Sequence, residues 1–256
     1  MNFDFGYKTN SGNAFIMNAI IATLPRTEVP VVELEMVGEL CGSCKGWNGG
    51  CPGCAPYFTM LKKGLPYATV LLLSIDMAWP TLYSRGGRNP ISANLFRMGY
   101  ADRLTDRFIW RTLKKLHNPK ERYILGCGHC PVCPKKKCGP INYEECHRPL
   151  DRRFSLEATG VDCDALVHSL TGKHLQWWFK NEVLPQQMTR LALVLNDNPD
   201  ATESLLRAQI SAHPRTYPAS EVTATKPELQ TGTYTAHNGM QVPVYTNLKL
   251  GYRDEI

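Results

Sequence analysis

Apolar and polar positions along this chain follow two rhythms. Short β-branched or apolar runs read as strands: VPVVELEMV (Val29–Val37), YATVLLLSI (Tyr67–Ile75), ERYIL (Glu121–Leu125) and TRLALVLN (Thr189–Asn196). Helical spacing appears from about Ser92 to Leu116, where Leu95, Phe96, Leu104, Phe108, Leu113 and Leu116 recur on one face and Lys114 and Lys115 suit the last turn. APYFTMLKK is a short helix candidate. A further helix is expected from about Asp162 to Leu170, closed by Gly172, and a capped amphipathic helix within NPDATESLLRAQISAH. Strands interleaved with helices predict an α/β or α+β fold, a mixed sheet with flanking helices and two cysteine-rich loops that follow strands.

From Pro214 onward Pro, Thr and Lys dominate. Asn238-Gly239 then separates two alternating runs, a type I′ hairpin signal, and Pro243 keeps the second run at a sheet edge or outside a sheet. This divides the chain into a cysteine-rich domain, 1–213, and an extended tail with a hairpin, 214–256. A hairpin alone is marginal. The tail is therefore either a loosely packed extension or a docking arm for a partner or a second subunit.

With 256 residues the chain can build a real core, so its ten cysteines are not needed to staple a miniprotein. The start, MNFDFGYKTN, lacks a basic stretch followed by an apolar run, and the longest apolar run, Val70–Leu73, is far too short to span a bilayer. The expectation is a cytoplasmic protein without a membrane span, where thiols stay reduced and closely spaced cysteines bind metal or do redox work rather than form disulfides. The net charge of +6 permits an acidic partner or a phosphate ligand but does not call for nucleic acid.

The cysteines fall into two groups. The first is Cys41-x-x-Cys44-x6-Cys51-x-x-Cys54, two pairs joined by a bend containing Gly46, Gly49 and Gly50. Such pairs can converge on one metal or one cluster, and the gap between them is shorter than in common zinc ribbons. The second is GCGHCPVCPKKKCGPINYEECHRP (126–149), with Cys127, Cys130, Cys133, Cys138 and Cys146. C-x2-C-x2-C opens the bacterial ferredoxin run. Five thiols exceed what a tetrahedral zinc site needs, and the surplus favours an iron–sulfur cluster while zinc stays open. Lys135, Lys136 and Lys137 would raise the potential of an anionic cluster or steer an acidic partner. Cys163 falls on the first turn of a predicted helix, which lowers a thiol pKa. It is a candidate reactive thiol, ligand or buried structural cysteine.

The second group continues as ECHRPLDRRFSLEATGVDCDALV (Glu145–Val167). Gly-x-Gly-x-Cys-x-x-Cys, a third cysteine, Cys-His-x-Pro, a basic stretch and Ser-x-Glu-Ala-x-Gly-Val-Asp together resemble a predicted metal-binding family, domain of unknown function 2284. Its members look like small cytoplasmic proteins of anaerobic bacteria and archaea. The resemblance covers roughly residues 30–196. It places family cysteines at Cys130, Cys133, Cys138 and Cys146, and upstream at Cys41, Cys44 and Cys51. This chain adds Cys54 and Cys127, and its gap from Cys133 to Cys138 is longer than usual, so which four of the five downstream thiols bind stays open. The resemblance implies metal or cluster binding and brings no settled reaction.

The sequence therefore predicts a protein with two [4Fe-4S] clusters. One is on Cys41, Cys44, Cys51 and Cys54. The other is on Cys130, Cys133, Cys138 and Cys146, with Cys127 as substitute. The task is electron transfer to or from a partner redox enzyme. The alternatives are a cluster-dependent enzyme using Cys127 or Cys163 as a spare thiol, and a zinc-stabilised binding module. Within SLEATG, Ser155 can cap a short turn and Glu157 can reach backbone N–H groups, with Arg148, Arg152 and Arg153 nearby to neutralise or bind an anion. YSRGGRNP (Tyr83–Pro90) is a weaker anion candidate, and Trp177, Trp178 and Phe179 read as a core or interface cluster.

Overall fold

A computed structural model describes residues 1–256 except 11, 13, 42–54, 62, 80–89, 117, 119–120, 129, 131, 134–137, 139–144, 150, 177–184, 227, 229, 237 and 247–256. The anion candidate Arg85/Arg88, the Trp177–Phe179 triplet, the three lysines 135–137 and Cys44, Cys51 and Cys54 thus lie outside the described residues.

The frame is a seven-stranded mixed sheet in the order β5-β4-β6-β3-β2-β1-β7. In chain order its strands are β1 (Asn2–Lys8), β2 (Ala14–Pro25), β3 (Tyr67–Asp76), β4 (Arg122–Gly126), β5 (Phe154–Ser155), β6 (Gln187–Asn196) and β7 (Thr216–Pro218). All neighbours run antiparallel except β4 and β5. Period-two alternation assigns the faces. Leu71, Leu73 and Ile75 of β3 join a core with Met17, Ala19 and Ile21 under α2 (Pro90–Lys114) and α4 (Pro199–Ser211). Ala68, Val70 and Leu72 turn the other way, toward Leu125, Leu193 and Leu166 of α3 (Cys163–Thr171).

β3, β4, β6, α2, α3 and α4 match the sequence expectation to within a few residues. Asp162 caps α3, its carboxylate accepting from the Ala165 N–H at 2.9 Å, and Gly172 ends the helix in the left-handed region. Asn198 caps α4 in the same way. Two expectations fail, and two strands go unforeseen. The strand placed at 29–37 is instead a single bridge, Val31 to Val161, followed by the helix α1 (Leu34–Cys41). Pro30 cannot donate to a ladder, and the apolar positions 34, 37 and 41 recur at helical spacing in the sequence. The first cysteine group therefore begins on a helix rather than after a strand. APYFTMLKK gives only a 3-10 turn at Phe58–Met60. Finally, β1 and β2 were not anticipated. Phe3, Phe5 and Tyr7 alternate with polar residues, and β2 buries Phe15, Met17, Ala19 and Ile21.

In the C-terminal segment, β7 pairs with β1. The hairpin forms from β8 (Thr231–Thr235) and β9 (Gln241–Tyr245) as a separate two-stranded sheet, with Pro243 opposite Thr233. Its connection is longer than two residues: the Ala236 N–H bonds the Met240 carbonyl, and Gly239 has φ +80°. Val242, Val244 and Tyr245 are buried, and β9 packs against α2.

Candidate metal centre

The second cysteine group leaves and re-enters the sheet at one place. β4 ends at Gly126, and the parallel β5 pairs Phe154 with Leu125 and Ser155 with Gly126. The Gly126 carbonyl also accepts the Leu156 N–H at 2.8 Å. Residues 127–153 are thus a crossover whose two ends are fastened side by side. Gly126 admits no side chain, because a Cβ there would fall 2.4 Å from the Trp110 ring.

The loop's thiols divide by environment. Cys127 is 4 % exposed and packs in the core. Burial pushes its thiol well above the ordinary range, and nearby Glu157 and Asp106 push it the same way. Cys130, Cys133, Cys138 and Cys146 are half-buried. Cys130 Sγ accepts the Arg153 backbone N–H at 3.4 Å. The Arg153 side chain is itself buried. Burial lowers its pKa, while Asp151 and Cys130 act in the opposite direction. A buried guanidinium beside a thiol is the partner that a thiolate or an anionic cluster requires. Arg152 stacks over the Phe154 ring at 4.8 Å.

The SLEATG segment is a strap that both cysteine groups share. Ser155 Oγ accepts the Ala158 N–H at 3.0 Å, closing a 3-10 turn at Glu157–Thr159. The Glu157 carboxyl takes hydrogen bonds from the Ser155 hydroxyl and from the Gly128 backbone N–H, so it grips the turn between Cys127 and Cys130. Burial raises its pKa. On the strap's other side the Gly160 carbonyl accepts the Val32 N–H at 2.8 Å, and the Asp162 N–H bonds the Pro30 carbonyl at 3.0 Å. These bonds hold the chain that leads into α1 and Cys41. Tyr57, three residues after Cys54, donates its hydroxyl to the Val32 carbonyl and lays its ring on Gly160. Gly160 has φ +88°, so glycine is required there twice over, for conformation and for space. Both ends of the first cysteine group and both ends of the second are therefore tied to residues 153–162.

Cys163 stands where the sequence places it, first in α3, but its pKa is raised rather than lowered. Burial dominates, and Glu157, Cys127, Asp162 and Asp164 add to it, outweighing the helix terminus. Cys127, Glu157 and Cys163 thus lie in one region, and burial raises the pKa of each. Among the described residues no three His, Cys, Asp or Glu groups converge on one point as a metal site. The donor chemistry nevertheless fits a metal: four soft thiols on one loop, one of them already accepting an N–H bond beside a buried cation. Sequence reasoning missed Tyr57 and Trp110, whose roles depend on contacts with distant glycines that local pattern does not encode.

The family described as predicted metal-binding protein, domain of unknown function 2284, matches residues 27–196. The chain belongs to this family. The matched region runs from just before α1 to the end of β6 and contains both cysteine groups and the strap. Neither a curated protein nor a solved structure matches the chain. No described helix is long and apolar enough to cross a membrane.

Proposed function

We propose that this metal-binding protein carries two [4Fe-4S] clusters and exchanges electrons with a partner redox enzyme. Cys130, Cys133, Cys138 and Cys146 would hold one cluster, and Cys41, Cys44, Cys51 and Cys54 the other. The observation that carries the assignment is the division of the downstream thiols. Cys127 is sunk in the core with its proton favoured, which leaves four half-buried thiols on the loop. Such clusters supply one-electron redox chemistry when bound. The chain's own part is to hold the loop through Glu157 and Gly128, to donate the Arg153 N–H to Cys130, and to place the Arg153 guanidinium where thiolate charge would accumulate.

The enzymatic alternative needs a spare thiol that is accessible and ionised. Cys127 and Cys163 are buried and shifted toward the protonated form, which weighs against it. A zinc module would use the same eight cysteines.

The test is the low-temperature electron paramagnetic resonance of the dithionite-reduced protein and of Cys130→Ser and Cys44→Ser variants. Two superimposed signals, each lost with one variant, support two four-iron centres. A silent, colourless protein that contains zinc overturns the redox reading.

A further inference from the structure

Helix α2 carries cations at strict four-residue spacing: Arg103, Arg107, Arg111 and, immediately past the helix end, Lys115. All four are exposed, as is Lys114. Their neighbourhood is continuous. Arg103, Arg107 and Arg215 all act on the Tyr100 hydroxyl, and Arg111, Lys115 and Arg215 all act on His213. Among the described residues none of Arg103, Arg107, Arg111, Lys114 and Lys115 forms an ion pair. The acids of α2 lie on another side of the helix, where Asp102 pairs with Arg190 and Asp106 faces Cys127.

Like charges four apart on a helix repel, and among the described residues no ion pair is made to this row. Arg111 and Lys114, in the last turn, and Lys115 just past it have a local reason, since cations stabilise a helix C-terminus. Arg103 and Arg107 lie in the helix interior and have no such reason. The row from Arg103 to Lys115 forms a ridge roughly 18 Å long with members about 5–6 Å apart. The ridge ends beside Trp110, whose ring packs on Gly126 at the base of the cysteine loop.

We propose that this ridge is the docking surface for an acidic protein partner, one presenting carboxylates at the same spacing, as a helix with Glu or Asp at every fourth position does. The inference rests on the electron-transfer reading for its biological sense, because a partner redox enzyme is what the row would seat. Nucleic acid fits less well. Among the described residues the row is a single convex line with Arg215 alongside and one exposed ring, Phe96, in the preceding turns, not a groove lined by successive stacking rings. Guanidinium forks at fixed spacing match carboxylates bidentately, which gives the contact register as well as attraction.

The probe is a fluorescein-labelled, alanine-rich helical peptide with Glu at four positions spaced by four, compared with a scrambled peptide of the same composition and a single-stranded oligonucleotide of equal charge. Binding is read by anisotropy at low and physiological salt, using the full chain purified without oxygen. The spaced peptide is expected to bind more tightly than the scrambled one. It should lose roughly tenfold in affinity with the variant R103Q/R107Q/R111Q, the worth of three exposed ion pairs. The variant K135Q/K136Q/K137Q is expected to bind the peptide like wild type. Circular dichroism checks that the glutamine variants stay folded. Equal affinity of wild type and R103Q/R107Q/R111Q overturns the proposal, as does ridge-dependent binding of the oligonucleotide that exceeds peptide binding at physiological salt. Metal content, measured on the same samples, separates the two claims. Ridge-dependent peptide binding by a metal-free protein upholds the docking surface and removes the redox reading.

Discussion

Gly160 is the point where the two cysteine groups can be pried apart. A Cβ there would fall 2.3 Å from Tyr57 Cε2 and 2.9 Å from Cδ2, and the backbone has φ +88°. Gly160→Ala therefore carries two separable costs. The left-handed backbone costs about 1–2 kcal/mol for a non-glycine residue. Forcing the ring aside adds about 1–3 kcal/mol of overpacking. The sum is about 2–5 kcal/mol, which at about 2–4 °C per kcal/mol is a melting shift of roughly 4–20 °C. The two costs part company in a Tyr57→Ala background, where the ring is gone and only the backbone cost of about 1–2 kcal/mol remains. The assay is chemical denaturation of wild type, both single variants and the double variant, with metal content recorded for each. The coupling between the two substitutions is expected to be about 1–3 kcal/mol. If Gly160→Ala costs the same with and without Tyr57, the ring does not bear on Gly160 and the strap account is wrong.

Three further outcomes follow from the same geometry. Cys127→Ala should keep the full metal content while losing about 1 kcal/mol of stability through lost packing, whereas Cys130→Ser should lose the metal of the downstream centre; metal analysis and denaturation distinguish them. Arg153→Met keeps the backbone N–H bond to Cys130 but removes the buried cation, so the reduction potential of the nearest centre should fall, as read by redox titration. His213 is held neutral because burial, then Arg111, Arg215 and Lys115, lower its pKa below 6.5. Its contribution is fully present above the unfolded value and is lost as pH falls below about 6.5 toward the folded value. His213→Gln should therefore flatten the melting temperature between neutral and mildly acid pH, which calorimetry across that range can check.

Much of the frame was legible because central strands and amphipathic helices announce themselves by composition and period. The run TVLLLSI (Thr69–Ile75) can only be a strand buried on both faces, and Asp162 and Gly172 bracket α3 by capping chemistry alone. The errors lie where local signals compete. At 29–37 a β-branched start reads as a strand, yet Pro30 limits pairing and the helical spacing of the following residues wins. The cysteines were visible as groups, but their division was not. Whether a thiol points into a core depends on the sheet edge beneath it, and Cys127 and Cys133 look alike in sequence. The helix position of Cys163 was readable, whereas the burial that raises its pKa, with Glu157, Cys127, Asp162 and Asp164 adding to it, comes from the fold around it. Tyr57 and Gly160 stand about a hundred residues apart, and only the fold brings them into contact.

The most direct test of the central claim is the iron, acid-labile sulfide and zinc content of the protein purified without oxygen. The account predicts about eight irons and eight sulfides per chain, falling by about half in Cys130→Ser. About two zincs per chain with no sulfide would contradict it, leaving the family's metal binding intact and the electron-transfer role without a carrier.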